Sequence, residues 1–426
     1  MTVVITPRLS SPAPLQILEG GRLFSTLDQS AARARCFFAG DWAPVREFEG
    51  AAQTSLEQLY GHVLPHIRAA DMSMVNLEMP LAIDQPIVKD GPNFGGRPEY
   101  AQALAAAGFT IAGVANNHLR DQGDAAVLAT LEACHAAGLK TVGGGIGREQ
   151  ALAPLFIDHQ GLRIGVMAAT DPGDAVATHE HGGAADINDP LLPLLLQQAK
   201  ASCDCLILSV HGGIEYSPLP PPYWRDLLIS LIAAGADAVV AHHPHVPQGM
   251  SLVERPGRGP APIFWSLGNF IFPPRAPDHQ KPPYMHDGYT VTLGLAHGQV
   301  TDFVLCPYHI DNGFGLRAPD CATLDWWSRY IMATSEMVAD TGRHRALWDQ
   351  FVLRSWRVHA CERVRGLTEM LCAGDIHGLR HGQSHFNSPS HFSAYGRACE
   401  LLIAGVRENP EEQQRLEAWI EGVWPN

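Results

Sequence analysis

The stretch AVVAHHPHVPQGM (residues 238–250), followed after a short charged loop by PIFWSLGNFIF (262–272), decides the fold class. Ala238–Ala241, entered from Asp237, is a short apolar run that stops abruptly at His242, His243, Pro244 and His245. It reads as a buried strand ending in clustered imidazoles, which places metal-ligand atoms at a sheet edge where a crevice forms. The second run, Pro262–Leu267, ends in Gly268-Asn269 and so points another polar group from another strand tip. Three histidines within four residues are poorly explained as core packing.

Outward from this stretch the same grammar repeats. RCFFAGD (35–41), MSMVNLE (72–78), FTIAGVANNH (109–118), LKTV (139–142), LRIGVMAAT (162–170) and DCLILSVHGG (204–213) read as strands. Segments 55–70, 99–107, 124–137, about 190–201 and 223–234 have helical spacing between them, and several stop at a glycine such as Gly108, Gly138 or Gly235. Strands alternating with helices indicate a layered α/β fold with at least partly parallel sheets. Asp41, Glu78, Asn117, His118, His211, His243, His245 and Asn269 all fall at or just past a strand end. Ligands bind outside the carboxyl ends of strands in such sheets, so residues converging from several tips predict one site.

Three regions are expected: an extension over 1–33, a core domain over 34–310, and a helical C-terminal addition over 311–426 that packs on the core. The extension reads as an edge hairpin or a simple leader. In the addition, helices are expected at 323–340, 343–366, 395–406 and 410–422, with GLRHGQSHFNSPSHF (378–392) a loop whose histidines are surface or supporting residues.

The chain has 426 residues, 46% of them hydrophobic and 17% charged, which is globular composition. A formal charge of −14 offers no basic stripe to displace phosphate counterions and does not suit anionic lipid, so neither nucleic acid nor membrane is an expected partner. The nine cysteines include no CxxC and read as reduced thiols. MTVVITPRLSSPAPLQ lacks the layout of a signal peptide and no long apolar run is present, so a cytoplasmic protein is expected. The partner expected is a small-molecule or peptide substrate; nothing specifies an oligomeric state.

Two carboxylates, a carboxamide and three or four imidazoles suit one or two borderline divalent ions such as Mn, Fe, Co or Zn. Two such ions bring a charge of about +4 against −2 from Asp41 and Glu78, which leaves the pocket positive and fit for an anionic group. His118, beside Asn117, is placed for proton transfer to a leaving group. Asp121, three residues on, either orients that imidazole or caps the following helix.

The succession FFAGD (37–41), NLEMPL (76–81), ANNHLRDQG (115–123), GGGIGREQALAP (143–154), HGGIEYSPLPPP (211–222), AHHPHVPQG (241–249) and WSLGNFIF (265–272) resembles the CapA poly-γ-glutamate capsule synthesis (PGA_cap) family. That family is similar to calcineurin-like metallophosphoesterases, and the resemblance implies two packed β-sheets flanked by helices. It implies that Asp41 and His245 bind one metal, that Glu78 bridges, and that Asn117, His211 and His243 bind the other. His118 matches the histidine that acts as acid or transition-state donor in the phosphoesterases; His242 would either support the ligands or be a ligand in place of a neighbour, and Asn269 would support them. Ala43 stands where the phosphoesterases carry a histidine, a gap the capsule family shares. Ala241 replaces a usual glycine and Gly212 a common tryptophan. The activity implied is a metal-dependent hydrolase acting on a phosphoester or peptide-like amide. Peptide epimerisation, with Asp41 and His286 as bases around the insertion 274–289, and a non-catalytic role in capsule polymer synthesis are the alternatives.

Overall fold

The computed structural model describes residues 8–89, 91–273, 282–311, 313–374 and 376–423. Strand β1 (Leu9–Ser10) is followed by a hairpin of β2 (Gln16–Leu18) and β3 (Arg22–Thr26), then β4 (Ala34–Trp42), α1 (Leu56–Tyr60) and α2 (Leu64–Ala69). Next come β5 (Met72–Leu77), α3 (Glu99–Ala107), β6 (Ile111–Gly113), α4 (Gly123–Ala136), β7 (Lys140–Val142), β8 (Gly144–Gly145) and α5 (Arg148–Ala151). The middle of the chain runs β9 (Leu155–His159), β10 (Leu162–Thr170), β11 (Gly183–Ala184), α6 (Leu192–Ala201), β12 (Cys205–His211), α7 (Pro222–Ala234) and β13 (Ala238–His242). Strands β14 (Met250–Arg255), β15 (Arg258–Phe264), β16 (Asn269–Ile271), β17 (Asp287–Ala296), β18 (Gln299–Ile310) and β19 (Leu316–Arg317) complete the sheets. Helices α8 (Cys321–Ala339), α9 (Thr341–Ser355), α10 (Cys361–Ala373), α11 (Ile376–Asn387), α12 (Pro389–Ile403) and α13 (Pro410–Ile420) follow.

One sheet has the order β1-β14-β15-β13-β12-β10-β9, and the other β2-β3-β18-β17-β4-β5-β6-β7, with β16 beside β4 and β19 beside β18. Each has a parallel centre: β10, β12, β13 and β15 in the first, β4 to β7 in the second. The alternation of apolar residues explains the layering. Cys36 and Phe38 of β4 face the other sheet and pack with Ile164, Ile207 and Val240, while Phe37 and Ala39 face Leu59, Ile67 and Leu104 on the helical side. The outer face of the first sheet, with Leu208 and Val239, lies under Leu196 of α6, Leu228 of α7 and Val338 of α8. The fold is thus the expected pair of packed sheets between helices, with further helices at the C-terminus. Among the described residues no helix is long and apolar enough to cross a membrane, and the nine cysteines are free thiols.

Several local expectations are corrected. The strand expected over 109–118 covers only Ile111–Gly113, because Asn116 turns the chain: its amide bonds the Val114 carbonyl at 3.1 Å and its side-chain oxygen accepts the His118 N–H at 3.1 Å. The run Pro262–Leu267 is not one strand. It leaves the first sheet after Phe264, crosses over Trp265–Gly268, and Asn269 opens β16 beside Asp41 in the second sheet. Residues 378–392 are helical rather than a loop. Gly378 and Gly382 share a face of α11 and let it lie on Met370 and Leu367 of α10, so these glycines mark close packing. The break falls at Ser388, and Pro389 opens α12, where its missing N–H costs no hydrogen bond. The leader contributes β1 to one sheet and the β2–β3 hairpin to the other.

The crossing depends on close backbone approach. A Cβ on Gly40 would lie 2.1 Å from the Gly268 carbonyl oxygen, and Gly268 itself has φ of 79°. Gly40→Ala therefore forces β4 away from the crossing segment at Gly268 and lowers unfolding free energy by about 1–3 kcal/mol in urea melts. Gly173→Ala, with open space around its Cβ, stays within about 0.5 kcal/mol of the parent.

Candidate metal centre

The parallel strands of both sheets end at one place. In β4 a bulge between Ala39 and Asp41 reverses the alternation, so that Trp42 joins the helical side and Asp41 turns to the gap between the sheets. Asn76, two residues before Glu78, donates from Nδ2 to Asp41 Oδ1 at 2.8 Å. Glu78 lies just past β5, and His211 is the last residue of β12. His211 Nε2 is 2.9 Å from Asn117 Oδ1, 3.1 Å from His243 Nδ1 and 3.4 Å from Glu78 Oε1. Beyond β13 the backbone is left-handed at His243 (φ 98°) and His245 (φ 57°), an unfavourable conformation for these residues that swings both rings back over the strand tips. His245 Nδ1 lies 2.9 Å from Asn269 Oδ1 and 3.6 Å from Asp41 Oδ2, and its Nε2 is 3.9 Å from Glu78 Oε1.

Two donor groups result, each with atoms within 4.8 Å of one another: Asp41, Glu78 and His211, and Glu78, His243 and His245. Glu78 belongs to both. Its carboxylate is fully buried, and among the described residues neither oxygen has a hydrogen-bond partner. An unanswered buried carboxylate costs several kcal/mol, so the donor set fits divalent cations held around Glu78. Burial is the main cause of the shifts here. It pushes Asp41 up to about 7, helped by the neighbouring Glu78 charge, and raises Glu78. It drives His211 and His243 well below the ordinary range, so both imidazoles are neutral and ready to ligate. Burial would depress His245 too, but Glu78 and Asp41 outweigh it and raise its pKa. His242, taken down to about 4 by burial, lies 3.5 Å from Asp41 Oδ1 without a hydrogen bond at Nδ1.

His118 stands at the edge of this cluster. Its Nδ1 is 2.6 Å from Asp121 Oδ2, which also accepts the Phe94 N–H at 2.6 Å. Asp121 thus holds the ring, and α4 begins without a side-chain cap from it. Lys89 supplies the cation: its Nζ bonds Asp121 Oδ1, reaches the Asn117 carbonyl at 3.3 Å and lies 3.2 Å from His118 Nδ1. Burial and Lys89 lower the His118 pKa against the opposing pull of Asp121. A row of rings joins the two loops: His118 on Phe94 at 4.1 Å, Phe94 on Phe272 at 5.7 Å, Phe272 on His245 at 4.8 Å.

The structure therefore brings together Asp41, Glu78, Asn117, His118, Asp121, His211, His242, His243, His245 and Asn269. No contact among the described residues joins His286 to this group; its ring stacks on His309 at 5.8 Å, the latter paired to Asp287. Residues 274–281 of the insertion lie outside the described residues. Ala43, at the position of the absent histidine, is buried in the helical-side core. Sequence reasoning missed Asn76 and Lys89. Asn76 was accessible through strand alternation, since it shares a face with Glu78; Lys89 sits in a loop with no spacing signal.

In metal-free protein the raised Asp41 has a testable sign. A carboxyl near 7 when folded and 3.8 when unfolded contributes stability that is complete below about pH 4 and is lost as pH climbs through 7. The Tm of chelator-treated protein, corrected for general acid effects by the Asp41→Asn variant, falls over that window, and added Mn or Zn raises Tm most at its upper end. Lys89→Met leaves Asp121 buried without its cation at Oδ1 and costs about 3–5 kcal/mol in urea melts. Arg329→Met, whose pair with Asp325 is two-thirds exposed, costs under about 0.5 kcal/mol.

Residues 35–274 match the family described as "Bacterial capsule synthesis protein PGA_cap". The chain is 30% identical over 226 residues to the capsule biosynthesis protein CapA of Bacillus anthracis, covering 51% of this chain and 54% of that one. It is 28% identical to the PGA biosynthesis protein CapA of Bacillus subtilis (strain 168), over 55% of this chain and 62% of the relative. It thus spans little more than half the length of these relatives. Similar solved structures include a 5′-nucleotidase precursor from Thermus thermophilus (TM-score 0.41, 14% identity, 72% of this chain and 59% of that one). A phosphatase of Mycoplasma pneumoniae is another (TM-score 0.40, 12% identity, 69% and 100%). With the match extending over more than half of its residues, the chain belongs to the PGA_cap family of bacterial capsule synthesis proteins.

Proposed function

We propose that this chain is a metal-dependent hydrolase that cleaves a phosphoester or a peptide-like amide. One observation carries the reading: Glu78, buried and without a hydrogen-bond partner, is shared by two donor groups directly beside an oriented histidine. Asp41, Glu78, Asn117, His211, His243 and His245 would hold one or two divalent ions. Such ions, when bound, polarise a substrate oxygen and lower the pKa of water. The chain's own part is to orient and to move a proton. With Nδ1 engaged by Asp121, His118 has Nε2 left to meet the leaving oxygen or nitrogen and give it a proton. Phe94 and Phe272 wall that side with apolar rings and keep water from it.

Epimerisation needs two opposed proton carriers, and the second candidate, His286, has its ring contact with His309 rather than with a cluster residue among the described residues; hydrolysis needs only one acid, the role proposed for His118. The names of the curated relatives, capsule biosynthesis protein and probable polyglutamine synthesis accessory protein, favour a peptide-like natural substrate and also the idea of an accessory, non-catalytic part. Turnover separates the two. Protein with its metals counted by elemental analysis is assayed on bis(p-nitrophenyl) phosphate and on γ-glutamyl amides across Mn, Fe, Co and Zn. Metal-stimulated turnover is expected, with His118→Ala lowering kcat by about 10²–10⁴ while metal content stays, and Asp41→Ala lowering both. Metal bound in full with no turnover on either class would leave the accessory role standing and hydrolysis without support.

A further inference from the structure

The helices after Ile310 lie beyond the family match, which ends at residue 274, yet two of them answer backbone carbonyls of the ligand loops. Both loops hold left-handed backbone at residues other than glycine: His243 (φ 98°) and His245 (φ 57°) in one, Tyr216 (φ 59°) in the other. Such bends persist only where their surroundings over-determine them. The loops hold each other in part, since the Tyr216 N–H donates to the Pro244 carbonyl at 2.8 Å and Gln248 Nε2 to the Ser217 carbonyl at 2.9 Å. Further contacts come from the C-terminal helices. In α8 the buried Tyr330 donates its hydroxyl to the Pro247 carbonyl, two residues past His245. The same helix lies directly on the chain that follows. Ser335 Oγ accepts the Met250 N–H at 3.3 Å, and a Cβ on Gly249 would fall 2.0 Å from Thr334 Oγ1. In α12, Ser390, only 7% exposed, donates from Oγ to the Gly213 carbonyl at 2.5 Å, two residues past His211, and the Tyr223 hydroxyl lies 2.6 Å from the same oxygen.

We propose that α8 and α12 brace the two ligand loops, and that Tyr330 and Ser390 are positioning residues for His245 and His211 that set how tightly the centre binds a divalent ion. A carbonyl pinned two residues beyond a ligand fixes the peptide planes between them, and with them the direction of the ring. A buried carbonyl that loses its donor turns to find another, and the neighbouring peptides turn with it. This rests on reading Asp41, Glu78 and the histidines as a metal centre and is independent of the bond that is cleaved. Both hydroxyls stand outside the family match, so the shared strand tips do not by themselves carry the brace.

The test is calorimetric titration of manganese into the chelator-treated full chain. Its variants are Tyr330→Phe, which keeps the ring stacked on Trp326 at 5.0 Å, Ser390→Ala, and Ser73→Ala as a control. Ser73 is a buried hydroxyl of the same kind, donating to the Gly108 carbonyl at 2.6 Å from the end of β5 away from Glu78. Manganese binding is expected to be about five- to tenfold weaker in Tyr330→Phe and in Ser390→Ala, and within about twofold of the parent in Ser73→Ala. The visible bands of the cobalt-loaded protein, which follow ligand geometry, shift in the first two only. Should Tyr330→Phe not fold, Ser390→Ala carries the same test. Parental affinity and cobalt bands in either folded variant overturn the assignment while leaving the metal centre standing. So does an equal loss in Ser73→Ala, which would make the effect one of general stability. A parent that takes up neither manganese nor cobalt overturns the metal-centre reading, and the brace with it.

Discussion

The constraint on which this structure turns is the cost of keeping the Glu78 carboxylate dry. Among the described residues no protein donor reaches either oxygen; burial raises its pKa, and burial together with the Glu78 charge pushes Asp41 up to about 7. Nearby imidazoles answer only in part: His211 and His243 are held neutral, and His245 alone is driven the other way. Left to its own groups the pocket is an electrostatic liability, tolerated because the apolar layers on both faces of each sheet supply the compensating burial. Cations remove the liability, which is why the same residues that destabilise the pocket are the ones suited to bind metal.

The geometry needed to gather those groups explains the local irregularities. A bulge in β4 reverses Asp41, left-handed turns carry His243 and His245 back over the strand tips, and a pair of glycines at 40 and 268 brings two backbones into contact. Each is a departure from regular structure, and each serves to aim a side chain. The Lys89–Asp121–His118 contact differs in kind. There a buried ion pair is engaged at both carboxylate oxygens, and it holds the His118 ring in place.

Much of this was legible in the chain itself. Periodicity located β10, α3 and α7 almost to the residue, and polar residues at strand ends singled out the group from Asp41 to Asn269. What escaped reading was long-range. Nothing local to FWSLG tells that Phe264 and Asn269 lie in different sheets, since both halves are apolar and the change of direction is set by the partner Asp41. Lys89 is recruited by Asp121 across a loop, without spacing to mark it. The glycines of α11 suggest a loop until α10 is seen packed on them. His286, chosen by type and neighbourhood, has its ring on His309, because position along a chain says little about facing.

The four residues from Trp265 to Gly268 stitch one sheet to the other right at the cluster. A tether so short means that once the two sheets have closed on each other, the ligand loops have almost no remaining freedom to lose. The donor constellation is consequently assembled by the hydrophobic sandwich rather than by the ion. This sets the protein apart from small metal-nucleated domains, whose chains stay open until a cation gathers them. Here the donors that would hold a cation are a socket already cut to shape.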